Sequence, residues 1–105
     1  PYIMEFNASA CSENLALISR AIGFDASGGS ERELAKKAVD AVLQLMMDME
    51  MPLSLSEIGV SKNELTKYRD IYLNHKLYDL KTYNPRLLTP QNVDILLERM
   101  WKGVK

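Results

Sequence analysis

The sequence predicts an all-α fold of about five helices. No segment of the 105 residues alternates apolar and polar side chains in the manner of a strand. Apolar residues instead recur at helical spacing between capping serines or threonines, glycines and prolines, which mark helix boundaries. The composition, 47% hydrophobic and 26% charged, is ordinary for a globular domain. A chain of this length can build one domain with a core.

The first element is an apolar run that begins without a helix-start signal. The run Pro1-Tyr2-Ile3-Met4-Glu5-Phe6-Asn7 has no initiator methionine, no signal peptide and no capping Ser, Thr, Asp or Asn before it. We interpret it as the second half of a helix whose first half is missing. The chain is therefore expected to be a piece of a longer protein.

A second, separate helix is predicted over about residues 13–22, capped by Ser12 and ended by Gly23. The composition of residues 25–29 then predicts a loop. The apolar residues of this helix share one face at helical spacing: Leu15, Ile18 and Ile22.

The third and longest helix is predicted over about residues 31–50. Ser30 and Glu33 form a capping box at its start, and Pro52 ends it. Its main apolar stripe is Leu34, Ala38, Val42, Leu45, Met46 and Met49, widened by Leu43, Met47 and Met51. A face this wide predicts a helix packed on two sides at the centre of the core. The methionines are interpreted as adaptable core filling, with a Met-rich groove for a partner as the alternative.

A short turn and a fourth helix follow. Residues 53–58 are too few for more than a turn or two, and Gly59 stops them. Ser61 and Glu64 make a second capping box, which predicts a helix over about residues 62–74. Its shared face carries Leu65, Tyr68 and Tyr72.

An ordered loop and a last helix complete the chain. Residues 76–88 are predicted to be the loop, because they carry Asn84-Pro85-Arg86. Thr89 is then an N-cap with Pro90 at the first helical position, and the helix is expected to run to about Trp101. Its inward residues are Val93, Leu96, Leu97, Met100 and Trp101.

The charge balance disfavours nucleic acid and membranes as partners. Thirteen basic and 14 acidic residues give a net charge of −1, without a long basic block. No apolar stretch approaches the roughly 20 residues of a membrane span. The single cysteine, Cys11, excludes an internal disulfide and fits a cytoplasmic location. Cys11 is interpreted as a small, partly buried side chain, and His75 as an exposed or capping histidine near a helix end.

One alternative is a stand-alone helical interaction module or a helix-turn-helix DNA-binding module. The pattern of residues 54–69 is typical of a short helix, a Gly turn, a cap and a second helix. Against it, Pro52 shortens the first helix, and the second mixes acidic with basic residues. The side chains that would enter the major groove are Lys62, Asn63, Thr66 and Lys67.

Five segments, taken in order, resemble the iron-containing (group III) alcohol dehydrogenases across essentially the whole chain. They are Pro1 to Asn7, Ala21-Ile22-Gly23, Met51 to Val60, Tyr83 to Thr89 and Met100-Trp101. Two departures stand out. Tyr83 replaces a Thr that is usual before Asn-Pro-Arg, and Leu80 stands where some relatives carry a cysteine near the substrate.

The resemblance implies that residues 1–105 are the C-terminal part of the helical domain of a two-domain enzyme. In such an enzyme a Rossmann-like domain holds NAD or NADP, and one Asp and three His hold Fe²⁺ in the helical domain. The last histidine ligand precedes the segment that begins here with Pro1, so catalytic, metal and cofactor residues are expected to be absent. The expected partner is the missing N-terminal part, and self-association through exposed apolar surface is expected for the isolated, inactive chain.

The resemblance also indicates which residues lie near the substrate. The loop before Asn84-Pro85-Arg86 approaches the catalytic cleft in relatives. Leu80 is the predicted pocket residue, with Lys81 and Thr82 as its neighbours. Asn84, Pro85 and Arg86 are expected to fix the loop, since proline restricts the backbone and Arg86 can bond to carbonyls or a carboxylate.

Overall fold

The computed structural model describes residues 1–24, 29–75 and 84–104. Over these residues the backbone forms helices and turns, with no strand assigned, so the all-α prediction is confirmed. The elements are α1 (Tyr2–Ala21), α2 (Glu31–Asp48), a 3₁₀ turn (Ser56–Ile58), α3 (Glu64–Asn74) and α4 (Pro90–Lys102). The chain divides into two compact units, Pro1–Glu50 and Met51–Lys105.

Helix α1 is interrupted at Cys11, one residue before the cap that the sequence predicts at Ser12. Cys11 has non-helical angles, φ −140° and ψ 38°, so two helical segments meet there across a kink. The hydroxyl of Ser12 donates to Oε2 of Glu31 at 3.1 Å, and Glu31 belongs to α2. The predicted boundary between two helical segments is therefore confirmed, but the predicted cap was wrong, because the Ser12 hydroxyl bonds to another helix and not to its own backbone.

The start of α2 follows the predicted capping box. The Ser30 backbone is extended, and its hydroxyl accepts a hydrogen bond from the Glu33 N–H at 3.2 Å. Glu31 and Glu33 lie in the first turn, where negative charge is favourable beside the helix N-terminus.

The core of the first unit lies between α1 and α2, and it combines large apolar side chains with small residues. Leu15 clusters with Ala35 and Ala38, and the alanines leave little side chain between the two helices. Ser19 is fully buried, and its hydroxyl donates to the carbonyl of Leu34. This bond satisfies a polar group that would otherwise destabilise the interior. The buried residues of the two helices are Tyr2, Phe6, Asn7, Leu15, Ala16 and Ser19 of α1, and Leu34, Ala35, Ala38, Val39 and Leu43 of α2.

The predicted stripe of α2 is buried only in its first half. Leu34 and Ala38 are 1% and 0% exposed, whereas Leu45 and Met49 are 55% and 56% exposed. The prediction of a helix packed on two sides was wrong, since burial shifts toward Ala35 and Val39 and stops at Leu43. Met47 is also exposed, so core filling does not describe these methionines in this chain.

In the second unit, backbone and indole hydrogen bonds attach the segment 51–60 to α4. The Leu55 N–H donates to the Met100 carbonyl at 2.9 Å. The Trp101 indole Nε1–H donates to the Val60 carbonyl at 2.8 Å. Gly59, with φ +91°, ends the 3₁₀ turn as predicted.

The helix boundaries of this unit match the sequence at α4 better than at α3. Thr89 accepts from the Asn92 N–H at 3.1 Å and Pro90 occupies the first turn, which confirms the predicted cap. At α3 half of the predicted capping box forms: the Ser61 N–H donates to Glu64 Oε2 at 2.7 Å. The N-cap is Asn63, which makes no side-chain cap bond, and α3 covers Glu64–Asn74, close to the predicted range of about residues 62–74.

Gly103 closes α4 where two backbone segments come close together. Its φ is +69°, and a Cβ there would lie 2.7 Å from Ser54 Cβ and 2.9 Å from the Leu53 carbonyl oxygen. Gly59 also has a positive φ, but nothing lies within 4 Å of its hypothetical Cβ. A side chain at Gly59 would therefore meet backbone strain alone, whereas a side chain at Gly103 would meet both strain and steric overlap.

We expect Gly103→Ala to destabilise the second unit by about 2–4 kcal/mol, because strain and overlap add. Gly59→Ala is the matched control and should cost about 1 kcal/mol, from strain alone. Hydrogen exchange of the α4 amides measures both changes. Equal losses in the two variants would contradict the close approach at Gly103.

Candidate functional site

The structure describes the predicted loop-fixing residues but not the predicted pocket residues. Leu80, Lys81 and Thr82 lie outside the described residues, so their role stays a prediction. Asn84, Pro85 and Arg86 are described, and they lead into α4. The candidate site is therefore built upward from this loop.

A side-chain amide holds the turn over Pro85. The Asn84 Nδ2 donates to the Arg86 carbonyl oxygen at 2.6 Å. The proline between them already restricts φ, so the amide bond fixes a turn with little freedom to lose. The bond uses the Arg86 backbone, and the predicted contact of the Arg86 guanidinium with carbonyls or a carboxylate stays a prediction.

Asn92 connects this loop to the first turn of α4. Its side-chain Nδ2 donates to the Leu87 carbonyl at 3.0 Å, while its backbone N–H bonds to Thr89 Oγ1. One residue thus joins the helix cap to the loop that precedes it. Sequence reasoning missed Asn92, although its place three residues after the capping Thr89 was a usable signal.

A small cleft lies between α3 and α4 in the same unit. Its volume is about 190 Å³, below the range of about 300–1,000 Å³ that is typical of small-molecule sites. The cleft can hold a few water molecules but does not form a substrate pocket by itself. It is lined by Lys62, Leu65, Thr66, Asp94, Leu97 and Glu98.

Two lysines meet one carboxylate at the edge of this cleft. Lys102 Nζ and Lys62 Nζ each lie 3.4 Å from Glu98 Oε1. The hydrogen bond and charge of Lys102, followed by the charge of Lys62, lower the pKa of Glu98 below its ordinary value. Lys62 also lies over the Trp101 ring, 5.8 Å from its centroid.

A second ion pair crosses from α3 to α4. Arg69 Nε lies 2.6 Å from Asp94 Oδ1, and this nitrogen is screened from solvent. The two atoms are close without the alignment of a hydrogen bond, so the attraction is mainly electrostatic. Arg69 NH1 also approaches Asp70 at 3.5 Å. The pair fixes the side chain of Arg69 between the two helices.

Residues 54–60 do not form the first α-helix that a helix-turn-helix module needs. The element before α3 is the three-residue 3₁₀ turn Ser56–Ile58. Lys62, one of the predicted DNA-contacting residues, is engaged with Glu98 and Trp101. These two observations weaken the DNA-binding alternative.

The surroundings of Cys11 and His75 indicate structural roles for both residues. Cys11 is partly buried, and its Sγ–H donates to the Asn7 carbonyl at 3.1 Å. His75 is exposed at the C-cap of α3, where its N–H bonds to the Tyr72 carbonyl. Over residues 1–24, 29–75 and 84–104, no group of three or more His, Cys, Asp or Glu is placed to hold a metal ion. None of the helices described is both long and apolar enough to cross a membrane.

Comparison with known proteins gives a consistent set of relatives. The family model described as "Fe-containing alcohol dehydrogenase family, C-terminal" matches residues 1–101. An NADPH-dependent butanol dehydrogenase of Clostridium saccharobutylicum is 26% identical over all of this chain and 27% of its own length. A lactaldehyde reductase of Escherichia coli K12 is 30% identical over 96% of this chain and 26% of its own.

A solved structure agrees with these sequence relatives. The crystal structure of a 1,3-propanediol oxidoreductase superposes with a TM-score of 0.84 and 25% identity, over 96% of this chain and 26% of that chain. The chain therefore spans about a quarter of the length of the proteins that it matches.

The two lysines beside Glu98 generate a pH-dependent prediction. Because the pKa of Glu98 is lower in the folded state, its ion pairs stabilise the fold above the unfolded pKa, and this contribution is lost as the pH falls through the folded pKa. Lys102→Met should raise the pKa of Glu98 toward its ordinary value, more than Lys62→Met does. Carboxyl NMR titration measures the shift, with Lys67→Met as control. A larger shift from Lys62→Met would contradict the order of causes.

Proposed function

The chain belongs to the Fe-containing alcohol dehydrogenase family, in its C-terminal part, and from this membership we propose that it is a section of an NAD(P)-dependent, iron-dependent alcohol dehydrogenase. The observation that carries the proposal is the family match over residues 1–101. The helical fold supports it independently, through the superposition on the 1,3-propanediol oxidoreductase. The reaction class is the interconversion of an alcohol and an aldehyde.

The described residues of this chain do not fit a role in holding the metal. They contain no cluster of three ligating side chains, and stable iron or zinc sites generally need at least three protein ligands. Following what the family resemblance implies, we propose that the Fe²⁺ and NAD(P) sites lie in the part of the parent enzyme outside this chain, and we derive no catalytic step from this chain. The chain alone should be inactive.

The part of this chain nearest the chemistry is the loop before α4. We assign it the closing of one side of the substrate cleft, with Leu80, Lys81 and Thr82 as the contacting residues. Two hydrogen bonds at the end of the loop support this role. Asn84 and Asn92 fix the following residues to the first turn of α4, so that the loop is held at its C-terminal end.

The partner proposed for this chain is the remainder of the parent enzyme. Roughly three quarters of the length of the relatives lies outside the matched stretch. Exposed apolar side chains on the first unit, including Leu45 and Met49, are the surface that such a remainder would cover. In its absence the same surface should favour self-association of the isolated chain.

We expect the whole reading frame that contains this chain to catalyse NAD(P)H-dependent reduction of small aldehydes when loaded with Fe²⁺. A chelator should abolish the activity, and added Fe²⁺ should restore it. The 105-residue chain under the same conditions serves as the inactive control. The measurement is nicotinamide absorbance over a panel of aldehydes and alcohols. Activity that ignores both the chelator and the nucleotide would exclude the proposed reaction.

The loop role is tested by Asn84→Ala in the whole enzyme. Loss of its bond to the Arg86 carbonyl should loosen the substrate-facing loop and raise KM up to about tenfold, because one hydrogen bond contributes about 1 kcal/mol. Gln91→Ala, an exposed position in the first turn of α4, is the control. Steady-state kinetics with both variants separate KM from kcat. An unchanged KM for Asn84→Ala would remove the loop from the substrate cleft.

A further inference from the structure

The two ends of α4 are held by different kinds of contact. Hydrogen bonds to residues 51–60 hold its C-terminal end, at the Met100 carbonyl and the Trp101 indole. The helix begins ten residues before Met100, at Pro90. Near that start Val93 is buried, but apolar burial is non-directional and leaves a helix free to make small shifts. A directional contact at this end would therefore determine where the first turns of α4 lie.

An ion pair with α3 supplies such a contact. Arg69 Nε lies 2.6 Å from Asp94 Oδ1, and this nitrogen is screened from solvent. Asp94 lies four residues after Pro90, about 6 Å along the helix axis. The Lys62–Glu98 pair lies further from the loop, since Glu98 is eight residues after Pro90, about 12 Å along the axis. Arg69–Asp94 is thus the nearer of these two pairs to the loop.

The ion pair and the loop contact act on opposite sides of the same part of α4. Asp94 and Asn92 are two residues apart, so their side chains project about 200° apart around the helix. Asp94 meets Arg69 of α3, whereas Asn92 Nδ2 donates to the Leu87 carbonyl at 3.0 Å. Rotation or sliding of this turn would lengthen the second bond, and a hydrogen bond is lost within about 0.5 Å of extra length. Arg69 is therefore connected to the loop through one turn of α4.

The surroundings of Arg69 suit a role in orientation. Its side chain is 31% exposed, whereas that of Lys62 is 60% exposed. Its NH1 also approaches Asp70 of its own helix at 3.5 Å, so two carboxylates restrict the guanidinium. A planar guanidinium loses less freedom than a lysine side chain for each contact that it forms. Exposed ion pairs add little stability, so what this pair contributes is mainly a fixed direction between α3 and α4.

We propose that Arg69 is a positioning residue for the loop before α4. Through Asp94 it sets the place of the first turns of α4. Through Asn92 those turns set the end of the loop at Leu87. The inference rests on the proposed function, because it takes this loop to face the substrate. It adds a residue of α3, distant in sequence, to the loop-fixing residues that lie next to the loop.

A double-mutant cycle in the whole enzyme tests the positioning role by steady-state kinetics. Arg69→Gln and Asp94→Asn should each raise KM for the aldehyde by about three- to tenfold, with kcat and the nucleotide KM nearly unchanged. The double variant should be no worse than either single variant, since both remove one contact. Lys62→Met is the matched control, because it removes the ion pair further from the loop and should leave KM unchanged. Additive effects, or an equal rise in KM from Lys62→Met, would overturn the inference.

Hydrogen exchange in the whole enzyme separates this inference from the proposed function, because it needs no turnover. The Asn92 N–H, which bonds to Thr89 Oγ1, should exchange at least about threefold faster in Arg69→Gln and at the original rate in Lys62→Met. That result in a protein without NAD(P)H-dependent activity would support the connection from Arg69 to α4 and remove the proposed function alone. Unchanged exchange at Asn92 in Arg69→Gln would overturn the inference, whatever the activity.

Discussion

The first unit depends on the packing of α1 against the apolar face of α2. This packing covers only part of that face. Burial of apolar surface is the main stabilising contribution to a fold, at about 25 cal/mol per Å². Helix α1 covers α2 closely where Ala35 and Ala38 allow the backbones to approach, and the buried Ser19 hydroxyl bonds to the Leu34 carbonyl. Beyond Leu43 the same helix is left with exposed Leu45, Met47 and Met49. A helix stabilised over half its length retains an end that can bind another surface.

The second unit is held together differently. Helix α3 has no buried residue, and α4 contributes only Val93 and Leu96 to the interior. Exposed ion pairs such as Lys62–Glu98 add little stability, because water screens them. Directional bonds from Leu55 and Trp101 and the close approach at Gly103 therefore determine where α4 lies, and α4 in turn positions the loop through Asn92.

Local chemistry explains what the sequence predicted well. The caps at Ser30 and Thr89 were correct because a hydroxyl and an amide three residues later interact across one helical turn, wherever the rest of the chain lies. The Ser12 cap was wrong because its hydroxyl has a tertiary partner, Glu31, that no local pattern contains. The stripe of α2 failed for the same reason: spacing identifies an apolar face but not how far its partner extends.

The candidate site shows the same difference between local contacts, which the sequence predicts, and tertiary contacts, which it does not. The turn at Asn84-Pro85-Arg86 was predictable from residue types, since an Asn amide before a proline favours a local backbone bond. The link from Asn92 to Leu87 needed the helix to bring the amide back to the loop. Leu80 as a pocket residue depends on the resemblance alone, because neither charge nor spacing singles it out.

Under the proposed function, the two units of this chain would serve different tasks. A reaction centre needs a metal and a nucleotide held rigidly, and the described residues offer no such ligands. What they offer is support: an uncovered helix end on the first unit and a fixed loop on the second. Under this proposal, the exposed end of α2 is a surface that the rest of the parent enzyme would cover, and the fixed loop is a surface that it would use.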